Sequence, residues 1–549
     1  MVKLQRLTAR DKAPVWKSAS ILLALILILP IAAIFYLSVG EDAALFAHLI
    51  NTVLPSYALN TVLVTAGVMA FSALWGIPCA WFMARCDIPG RKWLEWMLVL
   101  PLAIPGYIVG YIYTDWLDYA GPIQVMLRDL TGWQAGDYAF PDIRTPIGAS
   151  LVLSFVLYPY VYLMCRSAFM EQGVTLMQSA RLLGCGRFAT FWRVALPLAR
   201  PAIVVGLSLV AMETIGDFGT VKYFAVNTLT TSIYDTWLSY SNIHAAGKIA
   251  ATLLLFIALM LSVERYSRRK QRLYQREIAS QAARLALKPV VKWCVSLWCW
   301  LLVSVAFLLP LWQLLDYTLH YLDESFTGEF QTLVLNSLYV SVLASLFAIF
   351  VALIVNFNFR LASSKSNNLM RRLASFGYAV PGTVLAIGVM SPILGLDHFV
   401  NDTAKMLGLP RPGLIFSGSV FALVFALVVR FSAIAIGSVE SSLNKISPSL
   451  DMAARSLGKN RSQMLLAVHF PLVYRAALVA GLLVFIESMK ELNAALLLRP
   501  FNFETLATHV FSYVSSEQLE LAALPAVILV LVGMVPILWV NRSMQKVHS

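Results

Sequence analysis

The chain has 549 residues, of which 59% are hydrophobic and only 13% charged, with a formal net charge of +13. A soluble domain carries about 25% charged residues to cover its surface, so a water-soluble globule is excluded and lipid must solvate most of the chain. The basic residues stand in short segments between long apolar runs, which is a membrane-topology pattern and excludes a nucleic-acid-binding face as the source of the charge.

The N-terminus is basic, with Lys3, Arg6, Arg10, Lys12 and Lys17 ahead of an apolar run at 18–39. That run can cross roughly 30 Å of hydrocarbon, and no small-residue cleavage site follows it, so an uncleaved helix is expected rather than a signal peptide. Further runs at 57–84, 94–115, 147–165, 201–222 and 246–264 predict five more spans. Beyond a basic stretch at 265–292 come 290–314, 334–357, 373–395, 414–434, 472–495 and 521–541. The expectation is an all-α integral membrane protein of about twelve helices. Pro101 and Pro105-Gly106 fall within the third run, where neighbouring helices can satisfy the freed backbone groups. The six cysteines, Cys79, Cys86, Cys165, Cys185, Cys294 and Cys299, lie in or beside apolar stretches without a C-x-x-C pair, and read as buried small hydrophobes.

Lys and Arg set the orientation. Segments 85–92, 166–200, 265–292, 360–372, 430–475 and the tail with Arg542 and Lys546 are basic, and the alternate loops are not. Both termini are therefore expected in the cytoplasm. The organisation along the chain is then a cytoplasmic N-terminus with the first span (1–55) and a first transmembrane domain (56–264) with a long cytoplasmic loop at 166–200. A basic linker with the seventh span (265–331) leads to a second transmembrane domain (332–541) with a loop at 435–471, and a cytoplasmic tail (542–549).

The two domains repeat one another. Gln178-Ser179-Ala180-Arg181-Leu182-Leu183-Gly184 is echoed by Met452-Ala453-Ala454-Arg455-Ser456-Leu457-Gly458, 274 positions later. Ten residues beyond each glycine come Val194-Ala195-Leu196-Pro197 and Val468-His469-Phe470-Pro471. The same offset carries Glu213 to Glu487 and Asp217 to Glu491, and a two-residue slip carries Asn60 to Asn336 and Pro105-Gly106 to Pro381-Gly382. With an even number of spans in each half, the copies are parallel, related by a pseudo-two-fold axis along the membrane normal, on which a pathway would lie. Each long loop reads as a short helix, a glycine turn and a second helix that Pro197 or Pro471 ends. A polar helix outside the membrane suits docking into a groove of a soluble partner, whereas a solvated connector would not recur at the same place in both copies.

The loop resembles the Glu-Ala-Ala-x3-Gly-x9-Ile-x-Leu-Pro signature of permeases from binding-protein-dependent ABC importers. Gly184, Leu196, Pro197, Gly458 and Pro471 fit it, and Val194 and Val468 are conservative. The triplets are Gln178-Ser179-Ala180 and Met452-Ala453-Ala454, so the family's glutamate is missing from both, Asp451 is displaced by one position, and Phe470 replaces a leucine. The resemblance implies two parallel six-helix halves of the type I (MetI-like) fold in the bacterial inner membrane, fused in one chain. It also implies that the two loops are coupling helices docked on two copies of an ATP-binding subunit, with a periplasmic substrate-binding protein outside. ATP and Mg would then sit on the partner and no cofactor in this chain. The stretch from Ala211 to Val221 with Glu213-Thr214-Ile215-Gly216-Asp217-Phe218-Gly219, and the following Leu229-Thr230-Thr231, resemble the ferric-iron uptake type. Thiamine and phosphonate permeases are organised similarly.

Glu213 and Asp217 stand four apart, as on one helix face, and Glu487 and Glu491 do the same. Ionisable groups within spans are costly and usually face a cavity or a partner. Ferric iron prefers oxygen ligands, so the pairs could line its route. The alternative is a structural one, with ion pairs such as one to Lys490, or helix caps. The chain has no G-x-x-x-x-G-K-[ST] phosphate loop, no H-E-x-x-H motif and no catalytic grouping, so a transport subunit rather than an enzyme is expected. The basic linker is suited to anionic headgroups. A gradient-driven secondary transporter of six-plus-six spans would share the repeat but not the two matching loops.

Overall fold

The computed structural model describes residues 14–40, 43–134, 137–172, 182, 186–269, 287–361 and 364–548. Among the described residues every regular element is helical. Eleven helices are long and apolar enough to cross a membrane: Val15–Ser38, Leu54–Arg85, Pro146–Glu171, Phe191–Gly216, Ile243–Ser262, Pro289–His320, Gly328–Leu361, Gly382–Met406, Val420–Leu443, Arg461–Lys490 and Leu519–Leu538. The twelfth span, expected as an unbroken run at 94–115, is instead bent by 92° between Arg91–Ala103 and Gly106–Thr131. Its cause is local. Pro105 has no amide hydrogen and pushes Ile104 out of the helical region, to φ −90 and ψ 126, after the 3-10 turn Leu100–Ala103. The second copy repeats this with the 3-10 turn Phe376–Ala379, an extended Val380 and Pro381 capping the helix Gly382–Met406.

Packing follows membrane rules. On Gly328–Leu361, Leu335, Leu338, Val342, Leu346 and Phe350 are exposed at helical spacing, while Val340, Ala344, Ala348, Ala352 and Val355 are buried. Small residues line the inner face because, without a hydrophobic drive between lipid-bathed helices, close van der Waals approach stabilises the contact. Of the cysteines, Cys79, Cys86, Cys165 and Cys299 are buried as expected, but Cys294 is exposed. Cys185 lies outside the described residues.

Pro197 and Pro471 do not stop the helices before them. Five-residue π-helical turns, Phe191–Ala195 and Leu465–His469, run straight into Leu196–Gly216 and Phe470–Lys490. A third, Ser304–Leu308, precedes Pro310 in the same way. The wider turn absorbs the missing amide and the ring, so one continuous helix passes the proline.

The chain forms two compact units, and neither is contiguous. Unit I comprises Asp42–Gln331 with Leu506–Ser549, and unit II comprises Met1–Glu41 with Thr332–Thr505. In unit II the first span packs along Gly382–Met406, with Gly388 against the carbonyl of Pro30. In unit I the helix Ala523–His548 packs on Leu309–His320 and on the turn Leu100–Ala103.

Candidate functional site

The second long loop begins after Val420–Leu443. Its short helix is Pro448–Ser456, opened by Ser447, whose hydroxyl accepts from the Ser449 amide. Leu457 ends it and Gly458 turns the chain with φ +76, a conformation that costs any side-chain-bearing residue. Asn460 and Gln463 then form a capping box on Arg461–Met464, which enters the π turn and the span beyond. This is the helix–glycine–helix that the spacing predicts. Ala454 is buried, whereas Leu450, Met452 and Leu457 are exposed, as is Ala453. An exposed apolar fringe on a loop outside the membrane is a feature of a docking surface. In the first loop Gln178, Ser179, Ala180 and Gly184 lie outside the described residues. Leu182 there is also exposed. Leu196 and Pro197 open one long helix, and Phe470 and Pro471, with Phe470 exposed, open the other.

Two arginines missed by motif reading hold the loop bases. The helix Leu54–Arg85 has 32 residues and Gly328–Leu361 has 34, about 48 and 51 Å at the usual rise, against roughly 30 Å of hydrocarbon. Their excess length carries Arg85 and Arg360 to the loops. Arg85 Nη2 donates to the carbonyl of Gln172, and Arg360 Nη2 donates to that of Ile446 at 3.0 Å. Gln172 and Ile446 are 274 positions apart, so the two bonds are copies of one another. Gln172 Nε2 also donates to the carbonyl of Ala195 at 2.9 Å. Both arginines read as topology charges in the sequence, and their recurrence at the end of a repeated span was the available signal.

The membrane carboxylates do not share helix faces as expected. The first helix ends at Gly216, and Asp217 follows it with extended backbone, ψ 132. Its Oδ1 accepts from the amides of Thr220 and Val221 at 3.0 and 3.1 Å, and its Oδ2 accepts from Thr220 Oγ1 at 3.0 Å. Asp217 thus opens the next short helix, Gly219–Tyr223. Glu491 likewise lies just past Lys490 with ψ 111, where Oε1 accepts from the Ala494 amide at 3.1 Å and from Arg430 Nη1 at 2.9 Å. Arg430 and Glu491 expose only 13% and 7% of their side chains, so each neutralises a charge that the membrane would not tolerate alone. Glu213 and Glu487 remain on the helices. Glu487 is part-exposed with Lys490 Nζ 3.5 Å away. Glu213 is also only partly buried.

A second polar copy supports the same region. Asn60 Nδ2 donates to the carbonyl of Asn227, and Asn336 Nδ2 to that of Glu504, both at 3.0 Å. Thr61 Oγ1 accepts from the Leu229 amide at 3.0 Å, fixing the helix Leu229–Leu238 behind its Thr228 cap. Gly106 and Gly382 explain the repeated Pro-Gly. A Cβ on Gly382 would lie 2.4 Å from Arg430 Nη1 and 2.5 Å from Glu491 Oε1, and one on Gly106 would lie 2.9 Å from Thr220 Oγ1. The broken span and the carboxylate turn therefore meet at close approach, more tightly at Gly382 than at Gly106. Among the described residues no three of His, Cys, Asp and Glu gather as around a bound metal.

Residues 76–272 and 344–548 each match the family described as binding-protein-dependent transport system inner membrane component. The Fe(3+)-transport system permease protein FbpB 2 of Haemophilus influenzae is 23% identical over 496 residues, covering 88% of this chain and 89% of that protein. The molybdenum transport system permease protein ModB of Escherichia coli is 35% identical over 169 residues, covering 31% of this chain and 71% of its own length. The sulfate transport system permease protein CysT of Synechocystis is 27% identical over 252 residues, covering 45% and 84%. With the family matched twice across most of the chain, and eleven or twelve candidate spans among the described residues, this protein belongs to the inner-membrane components of binding-protein-dependent transport systems, as a fused permease carrying both copies.

Proposed function

We propose that this chain is the translocation subunit of an ATP-driven importer that receives ferric iron from a periplasmic binding protein and passes it to the cytoplasm. Two copies of an ATP-binding subunit dock on the loops around 178–184 and 452–458, hold ATP and Mg, and drive the alternation by binding the two conformations unequally. Both termini face the cytoplasm. The observation that carries the reading is the duplicated loop, its base gripped by Arg85 in one copy and Arg360 in the other. Iron is favoured because the ferric relative parallels nearly the whole fused chain, whereas the molybdenum and sulfate relatives each align with less than half. Of the four carboxylates, Glu213 and Glu487, which stay on the helices and are only partly buried, are assigned to the route, and Asp217 and Glu491 to the turns.

A second reading, an oxyanion substrate, draws on the buried Arg430 and on the 35% identity to the molybdenum permease. Proteoliposomes holding the chain, its ATP-binding subunit and its binding protein decide between them. Uptake of labelled ferric iron, with molybdate and sulfate excluded, supports the first reading, and the reverse order supports the second. Cargo movement in vesicles without the ATP-binding subunit, driven by an ion gradient, would sink both. Replacing Gly184 and Gly458 together by bulky residues is expected to abolish co-purification of the ATP-binding subunit.

A further inference from the structure

The two loop bases share one contact and differ in another. In the second copy, Arg360 Nε and Nη2 fork onto Asp451, at 3.0 Å to Oδ2 and 3.2 Å to Oδ1. The same guanidinium also donates to the carbonyls of Ile446, at 3.0 Å, and Leu443, at 3.5 Å. Asp451 lies in the first turn of Pro448–Ser456, where a negative charge also favours the helix dipole. His469 is fully buried at the end of the π turn, with Nε2 3.1 Å from Asp451 Oδ1, a close approach without hydrogen-bond alignment. Further along, Trp16 from the first span donates to Ser462 Oγ at 2.9 Å and stacks edge-on with Phe357 at 6.1 Å. Asp451 thus ties two pieces together: the foot of Gly328–Leu361 and the exposed loop helix.

The first copy lacks these chemical groups. The offset of 274 puts Met177 where the second copy has Asp451, and Ala195 where it has His469. Met177 lies outside the described residues, but a thioether carries no charge for Arg85 to hold. What the copies share is the arginine-to-carbonyl bond, and what is added in the second is a forked charge pair with geometric specificity.

We propose that Asp451, held by Arg360, is a positioning device that stiffens the second loop through a charge pair for which the first copy's sequence has Met177 instead, so that the two halves receive the ATPase stroke unequally. The proposal rests on ATPase docking for its consequence, though not for the brace itself. It also assigns a role to the displaced acidic residue, which here acts within the chain.

The test uses the full chain with its ATP-binding subunits in nanodiscs and proteoliposomes, with Asp451→Asn and the charge-keeping Asp451→Glu. Asp451→Asn is expected to speed amide exchange over 448–464 about tenfold, equivalent to roughly 1.4 kcal/mol of local opening. It is expected to raise the ATP consumed per ion imported, with the ATP-binding subunits still co-purifying, and Asp451→Glu is expected to keep both close to the parent. Exchange and ATP-to-ion ratio within about twofold of the parent in Asp451→Asn would overturn the proposal. So would Asp451→Glu as impaired as Asp451→Asn, because that outcome means side-chain shape rather than charge. Should the parent chain retain no ATP-binding subunit, the transport reading fails, while the exchange measurements still decide whether the brace exists.

Discussion

Arg430 and Glu491 form a 2.9 Å ion pair, each mostly buried, at the place where the helix Phe470–Lys490 gives way to Asn493–Leu498. The first copy meets the same turn with Asp217 on the amides of Thr220 and Val221 and on the Thr220 hydroxyl. Truncating one partner leaves an unpaired charge in a poorly solvated site. Arg430→Met or Glu491→Met alone is expected to destabilise unit II by about 3–5 kcal/mol, and the double replacement by much less. Thermal unfolding of the purified variants, read as a double-mutant cycle, checks this. Additive losses would mean that the pair does not couple.

Gly382→Ala drives a methyl group into that pair and also to within 2.9 Å of Asn493 Cβ. The expected cost is about 1–3 kcal/mol, as for overpacking. Gly106→Ala meets Thr220 Oγ1 at 2.9 Å and Leu153 Cδ2 at 3.2 Å, both ends of movable side chains, and should be milder. The order of the two melting points is the measurement, and an equal or inverted order would contradict the packing described.

Asp217 serves as a cap through three hydrogen bonds. Asp217→Ala is expected to cost about 1–2 kcal/mol, and Asp217→Asn, which keeps an acceptor, a fraction of that. Uptake should follow stability in both variants. Wild-type stability with lost uptake in Asp217→Asn would instead make its charge part of the route.

Glu213 and Glu487 are the carboxylates still carried on helix surfaces. The double variant Glu213→Gln/Glu487→Gln is expected to lower ferric-iron uptake about tenfold or more while the ATP-binding subunit remains bound, since each charge that steers a hard cation is removed without change of shape. Unchanged uptake at normal expression would take both out of the mechanism.

The sequence carried the span count, the repeat and the loop because each rests on long or repeated patterns. Eighteen or more apolar residues, or seven residues echoed 274 positions away, survive the loss of any single contact. Single turns were harder to read. Pro105 interrupts a span that apolar content alone presents as continuous, whereas Pro197 is passed by a π turn, and both are prolines among hydrophobes. The four-residue spacing of Glu213 and Asp217 suggested one helix face, but the helix stops at Gly216. Asp217 three residues before Thr220 was the cap signal that competed with that spacing. Arg430 lay within an apolar run and was counted with the basic loop, because hydropathy averages over a window and hides one paired charge.

Unit II takes in Val15–Ser38 as well as Thr332–Thr505, and unit I takes in Leu506–Ser549 as well as Asp42–Gln331. A ribosome adding about 5–20 residues per second leaves Val15–Ser38 in the bilayer for roughly 20–70 s before Gly382–Met406 emerges beside it. Buried Leu27, Ile31 and Ile34 of that first helix spend the interval against lipid. A gene cut between the repeats would deprive each product of a helix encoded in the other.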